Sequence, residues 1–252
     1  MKTGAAYTIH FERNRDGVLR ALVAGVRSLP ATIGYWEAIL GEIAKGRPTA
    51  LMVMDELVGE ELAASEWKQL VEAMAGHDAP EHTKLWAMVE TPYAMLHAEE
   101  IAAASDRLTV LVMGTNDLAK ELYAEHVPGR QPLLTGLGLA LLAARATGKA
   151  IIDGVYNDVK DAEGFLAECR QGREMGFDGK TLIHPGQVEG ANEAFAPSEQ
   201  AVEDARGILQ AWEDGKGSGV VTYNGRMVEN LHVESARRTL SIHEAIRALS
   251  AG

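Results

Sequence analysis

The sequence predicts an α/β chain assembled from repeated strand–helix units around a parallel sheet. Two observations carry this. From residue 84 onward, short apolar runs alternate with amphipathic stretches, which is the pattern of βα units. The length of 252 residues also suits one large α/β domain, since barrels of that class reach this size without splitting. A hydrophobic share of 46% and a charged share of 24% agree with a sizeable core.

Taken in order, residues 1–48 offer one strand, "AAYTIHF", followed by two helices. In "RDGVLRALVAGVRSL" the residues Val18, Leu19, Leu22, Val23, Val26 and Leu29 share a helical stripe. "IGYWEAILGEIAKG" does the same with Ile33, Trp36, Leu40 and Ile43. "TALMVMDEL" and "AASEWKQLVEAMAG" then make the first clear strand–helix unit. "KLWAMVE" with "PYAMLHAEEIAAAS", "LTVLVMG" with "DLAKELYAEH" and "PLLTGLGLALLAARATG", "KAIIDGV" with "DAEGFLAECRQGREMG", and "KTLIHP" with "QVEGANEAF" make four more. About six strands result, roughly two short of a closed eight-stranded barrel.

After residue 197 the character changes. "PSEQAVEDARGILQAWE" reads as an amphipathic helix and "GKGSG" as a flexible loop. "VVTYNGRMV" reads as a hairpin whose Asn224-Gly225 supplies two positive-φ positions. A last helix follows from about His232 to Leu249.

The net charge of −12 disfavours sequence-independent binding to nucleic acid or to an anionic membrane. The lone Cys169 shares a helical face with Phe165 and Leu166, which reads as core rather than as a reactive thiol. With one cysteine, no signal-peptide pattern and no apolar run of spanning length, a reducing cytoplasm is the expected location.

Two acids stand out. Glu90, in "VETP", and Asp117, in "VMGTNDLAKEL", each follow a strand expected to be parallel, at the end where α/β folds gather their chemistry. Two carboxylates meeting at one rim raise each other's pKa unless a cation lies between them. A hard divalent ion such as Mg²⁺, held by one or two carboxylates plus waters, suits them. Equally, Glu90 can cap a helix, with Thr91-Pro92 after it as a plausible N-cap and first helical residue, and Asp117 can close a turn. Both readings stand on spacing alone. Asp153 in "IIDGV" and His184 in "LIHPGQ" also fall at strand ends, where an Asp-Gly turn and a hydrogen-bonded histidine are the plain alternatives. "GLGLAL" lacks the third glycine of a dinucleotide fingerprint and lies in a helical pattern.

Several of these stretches together resemble the citrate lyase β-subunit-like family, which includes malyl-CoA, methylmalyl-CoA and citramalyl-CoA lyases. They are "MVETPYAMLHAEEIA", "LVMGTNDLAKEL", "LLTGLGLALLAARATGKAIIDGVYNDVKDAEGF", "GREMGFDGKTLIHPGQVEGANEAFAPS" and "YNGRMVENLHVESARRTL". The resemblance runs from about residue 84 to 245, with a fainter echo from about 49. It implies a TIM-type barrel with a C-terminal helix–hairpin–helix lid, placed here at 1–197 (with 1–48 atypical) and 198–252. It also implies a homo-oligomer, trimeric or hexameric, acting on a CoA thioester and a small 2-oxo acid. The matching Mg²⁺ ligands are Glu90 and Asp117. Glu229, in "GRMVEN", stands where the family's lid carries an acidic residue, usually aspartate, and is the expected acid/base, supplied by a neighbouring subunit. Arg130 and Asp153 are the expected contacts to the cofactor, Arg130 as a base for CoA phosphates.

The reaction implied is a reversible aldol or Claisen-type cleavage of a 3-hydroxyacyl-CoA, with Mg²⁺ as a Lewis acid. The family's amino-terminal motifs, "R-S-x-L-x-x-P-G", "D-L-E-D-A-V" and "R-V-N", do not occur, so the arginine of the last has no counterpart by motif. The expected barrel is therefore incomplete on its amino-terminal side. Two rivals follow: an impaired relative serving as a binding or assembly subunit, and a pyruvate-class aldolase acting on free oxo acids.

Overall fold

Residues 18–26 form a strand rather than the expected helix. The structure, a computed structural model, describes residues 2–4, 7–15, 17–46, 50–58, 66, 69, 84–215 and 219–250. Leu19, Ala21 and Val23 are buried, whereas Leu22 and Val26 of the supposed helical stripe are 36% and 59% exposed. A period of two therefore replaced the period of 3.6. Local chemistry agrees, because Asn14 and Gly17 turn the chain: Val18 N–H donates to Asn14 Oδ1 at 2.8 Å and Gly17 takes φ 82°. Residues 7–13 are thereby folded back onto residues 18–26.

Strands β1 (Lys2–Gly4), β2 (Tyr7–Arg13), β3 (Val18–Val26) and β4 (Ala50–Val58) form one four-stranded sheet in that order. The first two pairings are antiparallel and β3–β4 is parallel. Helix α1 (Leu29–Lys45) connects the parallel pair, with Ser28 Oγ accepting from the Ala31 N–H as its cap. Its Tyr35 and Ile39 pack on Ile9, Ala21, Val23 and Leu57. Of the unit "TALMVMDEL"–"AASEWKQLVEAMAG" the strand is present, and most of its helix lies outside the described residues.

The second four-stranded sheet is parallel throughout, in the order β5 (Leu85–Val89), β6 (Leu108–Met113), β7 (Ala150–Asp153), β8 (Gly179–Lys180). β6 lies between two neighbours and has only one residue, Thr109, that is not buried, as a strand covered on both faces requires. Helices α2 (Pro92–Leu96), α3 (Ala98–Ala103), α4 (Thr115–Glu121) and α5 (Leu134–Ala146) fill the connections. Gly136 and Gly138 lie inside α5, in keeping with the helical pattern read there. The last strand is shorter than expected: after Thr181 donates to the Asp153 carbonyl, residues 185–187 already turn into a 3₁₀ segment.

Among the described residues these two sheets do not constitute a closed eight-stranded parallel barrel, because β1 to β3 run antiparallel. By contacts the chain divides into residues 1–155 with 174–181, and residues 156–173 with 182–252, a different division from the boundary read at 197. The second unit holds α6 (Ala162–Met175) up to Arg173, α7 (Val188–Phe195), α8 (Glu199–Asp214) and α9 (Asn230–Ser250). Its core packs Phe165 and Cys169 with Ala191, so the cysteine is indeed a core residue. The hairpin of β9 (Val221–Tyr223) and β10 (Arg226–Val228) closes through Asn224 and Gly225 at φ 49° and 74°.

Candidate functional site

The parallel sheet fixes the positions of the two acids. Val89 pairs with Met113, and the Gly114 N–H donates to the Val89 carbonyl at 3.0 Å. Glu90 therefore follows β5 alongside Gly114, which follows β6. Glu90 is half-buried, with its side chain lying over the Cα of Gly114. Thr91 Oγ1 accepts from the Ala94 N–H at 3.1 Å and Pro92 opens α2, the cap read from "ETP". Asp117 is exposed in the first turn of α4, two residues after buried Thr115. A carboxylate there also interacts favourably with the unpaired amide ends of the helix.

At the next strand end, Asp153 is wholly buried. Its carboxylate accepts from Arg130 Nη1 at 2.7 and 2.9 Å, from the Gly154 N–H at 2.8 Å and from Lys180 Nζ at 3.4 Å. Lys180 Nζ also donates to the Gly154 carbonyl at 2.5 Å. Arg130 is 5% exposed. The Gly129-Arg130 turn, with φ 77° and 54°, carries it inward. Desolvation makes such a cluster tolerable only when its charges meet, as these do. The sequence reading missed Lys180; its signal was a Gly-Lys pair at a strand end, where a lysine is otherwise unexpected.

The remaining candidates lie in the second unit. Glu229 is half-buried between β10 and α9; its carbonyl accepts from the His232 N–H at 2.9 Å. The Glu229 N–H in turn donates to His232 Nδ1 at 3.1 Å, so the two residues begin the helix reciprocally. His184 is exposed, its Nδ1 accepting from the Gly186 N–H, which is the structural alternative. A further pair went unread: Tyr156 Oη donates to Asp161 Oδ2 at 2.6 Å, and Asp161 Oδ1 accepts from the Gly164 N–H at the start of α6. This hydrogen bond, reinforced by burial, pushes the Tyr156 phenol up to about 12. The same bond holds Asp161 below its usual value.

Among the described residues no group of three or more His, Cys, Asp or Glu side chains is arranged to hold a metal. No described helix is long and apolar enough to cross a membrane. The structure thus brings Glu90, Gly114 and the start of the Asp117 helix to one rim, gathers Arg130, Asp153 and Lys180 beside one another, and puts Glu229 in the other unit.

A relative, the (3S)-malyl-CoA thioesterase of Cereibacter sphaeroides, is 57% identical over 169 residues, covering 66% of this chain and 59% of the relative. The citrate lyase subunit beta of Escherichia coli K12 is 37% identical over 173 residues, covering 68% of this chain and 57% of that subunit. The chain thus matches well under two thirds of the length of these relatives. Among solved structures, CitE from Mycobacterium tuberculosis in complex with magnesium, acetoacetate and coenzyme A is similar at a TM-score of 0.62 and 27% identity, covering 81% of this chain and 72% of that one. The model of a C–C bond lyase family of the TIM-barrel fold matches residues 137–245. The HpcH/HpaI aldolase/citrate lyase model matches residues 19–185, beginning earlier than the motifs read from about residue 49. That match takes in the whole rim from β5 to Lys180, and the chain belongs to the HpcH/HpaI aldolase/citrate lyase family.

Proposed function

We propose that the rim at the carboxyl ends of β5 to β8 uses a Mg²⁺ ion held by Glu90 and Asp117 to act on a malyl-CoA-type 3-hydroxyacyl thioester. The observation that carries this is the strand register, which sets Glu90 beside Gly114, three residues before Asp117. The donor set suits the ion: two carboxylates offer hard oxygens, and Mg²⁺ commonly completes its octahedron with water and substrate. When bound, the ion supplies Lewis-acid stabilisation of negative charge on a substrate oxygen.

Hydrolysis is the first reading, favoured by the 57% identity to a malyl-CoA thioesterase. Water adds to the thioester carbonyl, the C–S bond breaks, and the CoA sulfur leaves with a proton, giving malate and CoA. Carbon–carbon cleavage is the second reading, favoured by the family itself and by the citrate lyase β relatives. There the 3-hydroxyl loses its proton, the bond to the acetyl carbon breaks, and that carbon takes up a proton, giving glyoxylate and acetyl-CoA. In either reading Glu229, contributed by a neighbouring copy in a homo-oligomer, moves the proton. Arg130 and Asp153 serve the bound cofactor indirectly, as a buried brace under the rim.

Product analysis with malyl-CoA separates the readings. With Mg²⁺, malate and free CoA support hydrolysis, while glyoxylate and acetyl-CoA support cleavage. Glu229→Gln is expected to slow either reaction sharply while leaving Mg²⁺ binding intact. Products forming undiminished in EDTA, or no product from a Mg²⁺-loaded protein, contradict the proposal.

A further inference from the structure

The strand ends of the parallel sheet carry a stepped arrangement of glycines, each under a side chain from the preceding strand end. A Cβ added at Gly114 would fall well inside the van der Waals envelope of Glu90, against both its Cβ and its Oε2. One added at Gly154 would fall inside Thr115, against Oγ1 and Cγ2, with the Thr115 Cβ only 2.8 Å away. Thr115 is 4% exposed and opens the helix that carries Asp117. Neither glycine has a backbone reason to be glycine: Gly114 has φ −93°, and Gly154 is absent from the positive-φ glycines. What excludes a side chain at both positions is space alone.

We infer that Gly114 and Gly154 are positioning residues for the cation site, Gly114 by seating Glu90 and Gly154 by seating Thr115 and so the helix start that bears Asp117. This rests on the reading that Glu90 and Asp117 hold a divalent ion, and it extends that reading to two residues with no donor atom in a side chain. The Gly114 clash involves the Glu90 Cβ, close to the main chain, so rotation of the carboxylate does not relieve it. Either the end of β5 or the end of β6 must move, and the geometry between the two acids moves with it. At Gly154 the obstacle is a buried β-branched side chain with few alternative rotamers.

Calorimetric titration with Mn²⁺, used as a probe ion without substrate, tests this on the 252-residue chain. Gly114→Ala is expected to weaken Mn²⁺ binding about 10- to 100-fold, the usual effect of disturbing residues that orient metal ligands. Gly138→Ala, in α5 with open space around it, is the control and is expected to bind as wild type does. Gly154→Ala is expected to weaken binding as well, and Thr115→Gly in the same chain, which removes the side chain the added methyl meets, to restore it. Thermal melts in EDTA identify any variant that does not fold, and the Gly154→Ala and rescue pair decides the question if Gly114→Ala is such a variant. If Glu90→Gln abolishes binding but both glycine variants bind like wild type, the seating inference is wrong and the cation reading stands. If wild type does not bind Mn²⁺, or Glu90→Gln binds as wild type does, the cation reading and the seating inference both fall.

Discussion

Tyr156 and Asp161 show how one hydrogen bond ties local order to pH. The phenol donates to a carboxylate that also caps α6, and Gly164 leaves the room that both side chains occupy. The Tyr156 phenol, raised from about 10 to about 12, adds stability that is full below its unfolded value and is lost as pH rises from about 10 to 12. Asp161 is shifted the other way, so its contribution is present above the ordinary aspartate value and is lost as pH falls through its lower folded value. Tyr156→Phe is therefore expected to flatten the alkaline fall in melting temperature between about pH 10 and 12. An unchanged alkaline limb would show that the bond does not contribute. None of this was legible in "VYNDVKDAEG", because tyrosine and aspartate five residues apart meet only once the loop has folded back on the helix start.

Asp153, Arg130 and Lys180 tie together the ends of β7 and β8 and the turn at 128–133. Removing the central charge leaves two cations without the carboxylate that joins them in a buried setting. Asp153→Asn is expected to cost about 3–5 kcal/mol of stability, the range for breaking a buried ion pair from one side. Denaturant unfolding measures it; a loss below about 1 kcal/mol would place the cluster in the class of solvated surface pairs. At this scale the sequence was read well where local chemistry decides. Thr91-Pro92 began a helix, Asn224-Gly225 closed a hairpin, and Phe165 with Cys169 faced a core. It was misread at 18–26, where valines and leucines satisfy both periodicities and only the partner strand at 7–13 chooses between them. Nor could spacing show that Arg130 turns inward, since that depends on a carboxylate 23 residues away.

Across the whole chain, class and family were legible because they reside in many strand–helix units and in motifs that keep their order. Barrel closure was not, because it depends on pairings between distant strands, and the first sheet is largely antiparallel. For the candidate site, the strand ends that lead to Glu90 and to the Asp117 helix were legible, while Gly114 under Glu90 and Gly154 under Thr115 were not, since a missing side chain leaves no pattern of its own. The central claim is that Glu90 and Asp117 share one divalent ion. A crystal structure of the protein grown with Mn²⁺ tests it most directly, through the anomalous signal of the metal. The account predicts one peak in contact with a carboxylate oxygen of each residue. Both carboxylates well defined with no such peak between them, in crystals containing saturating Mn²⁺, would contradict it.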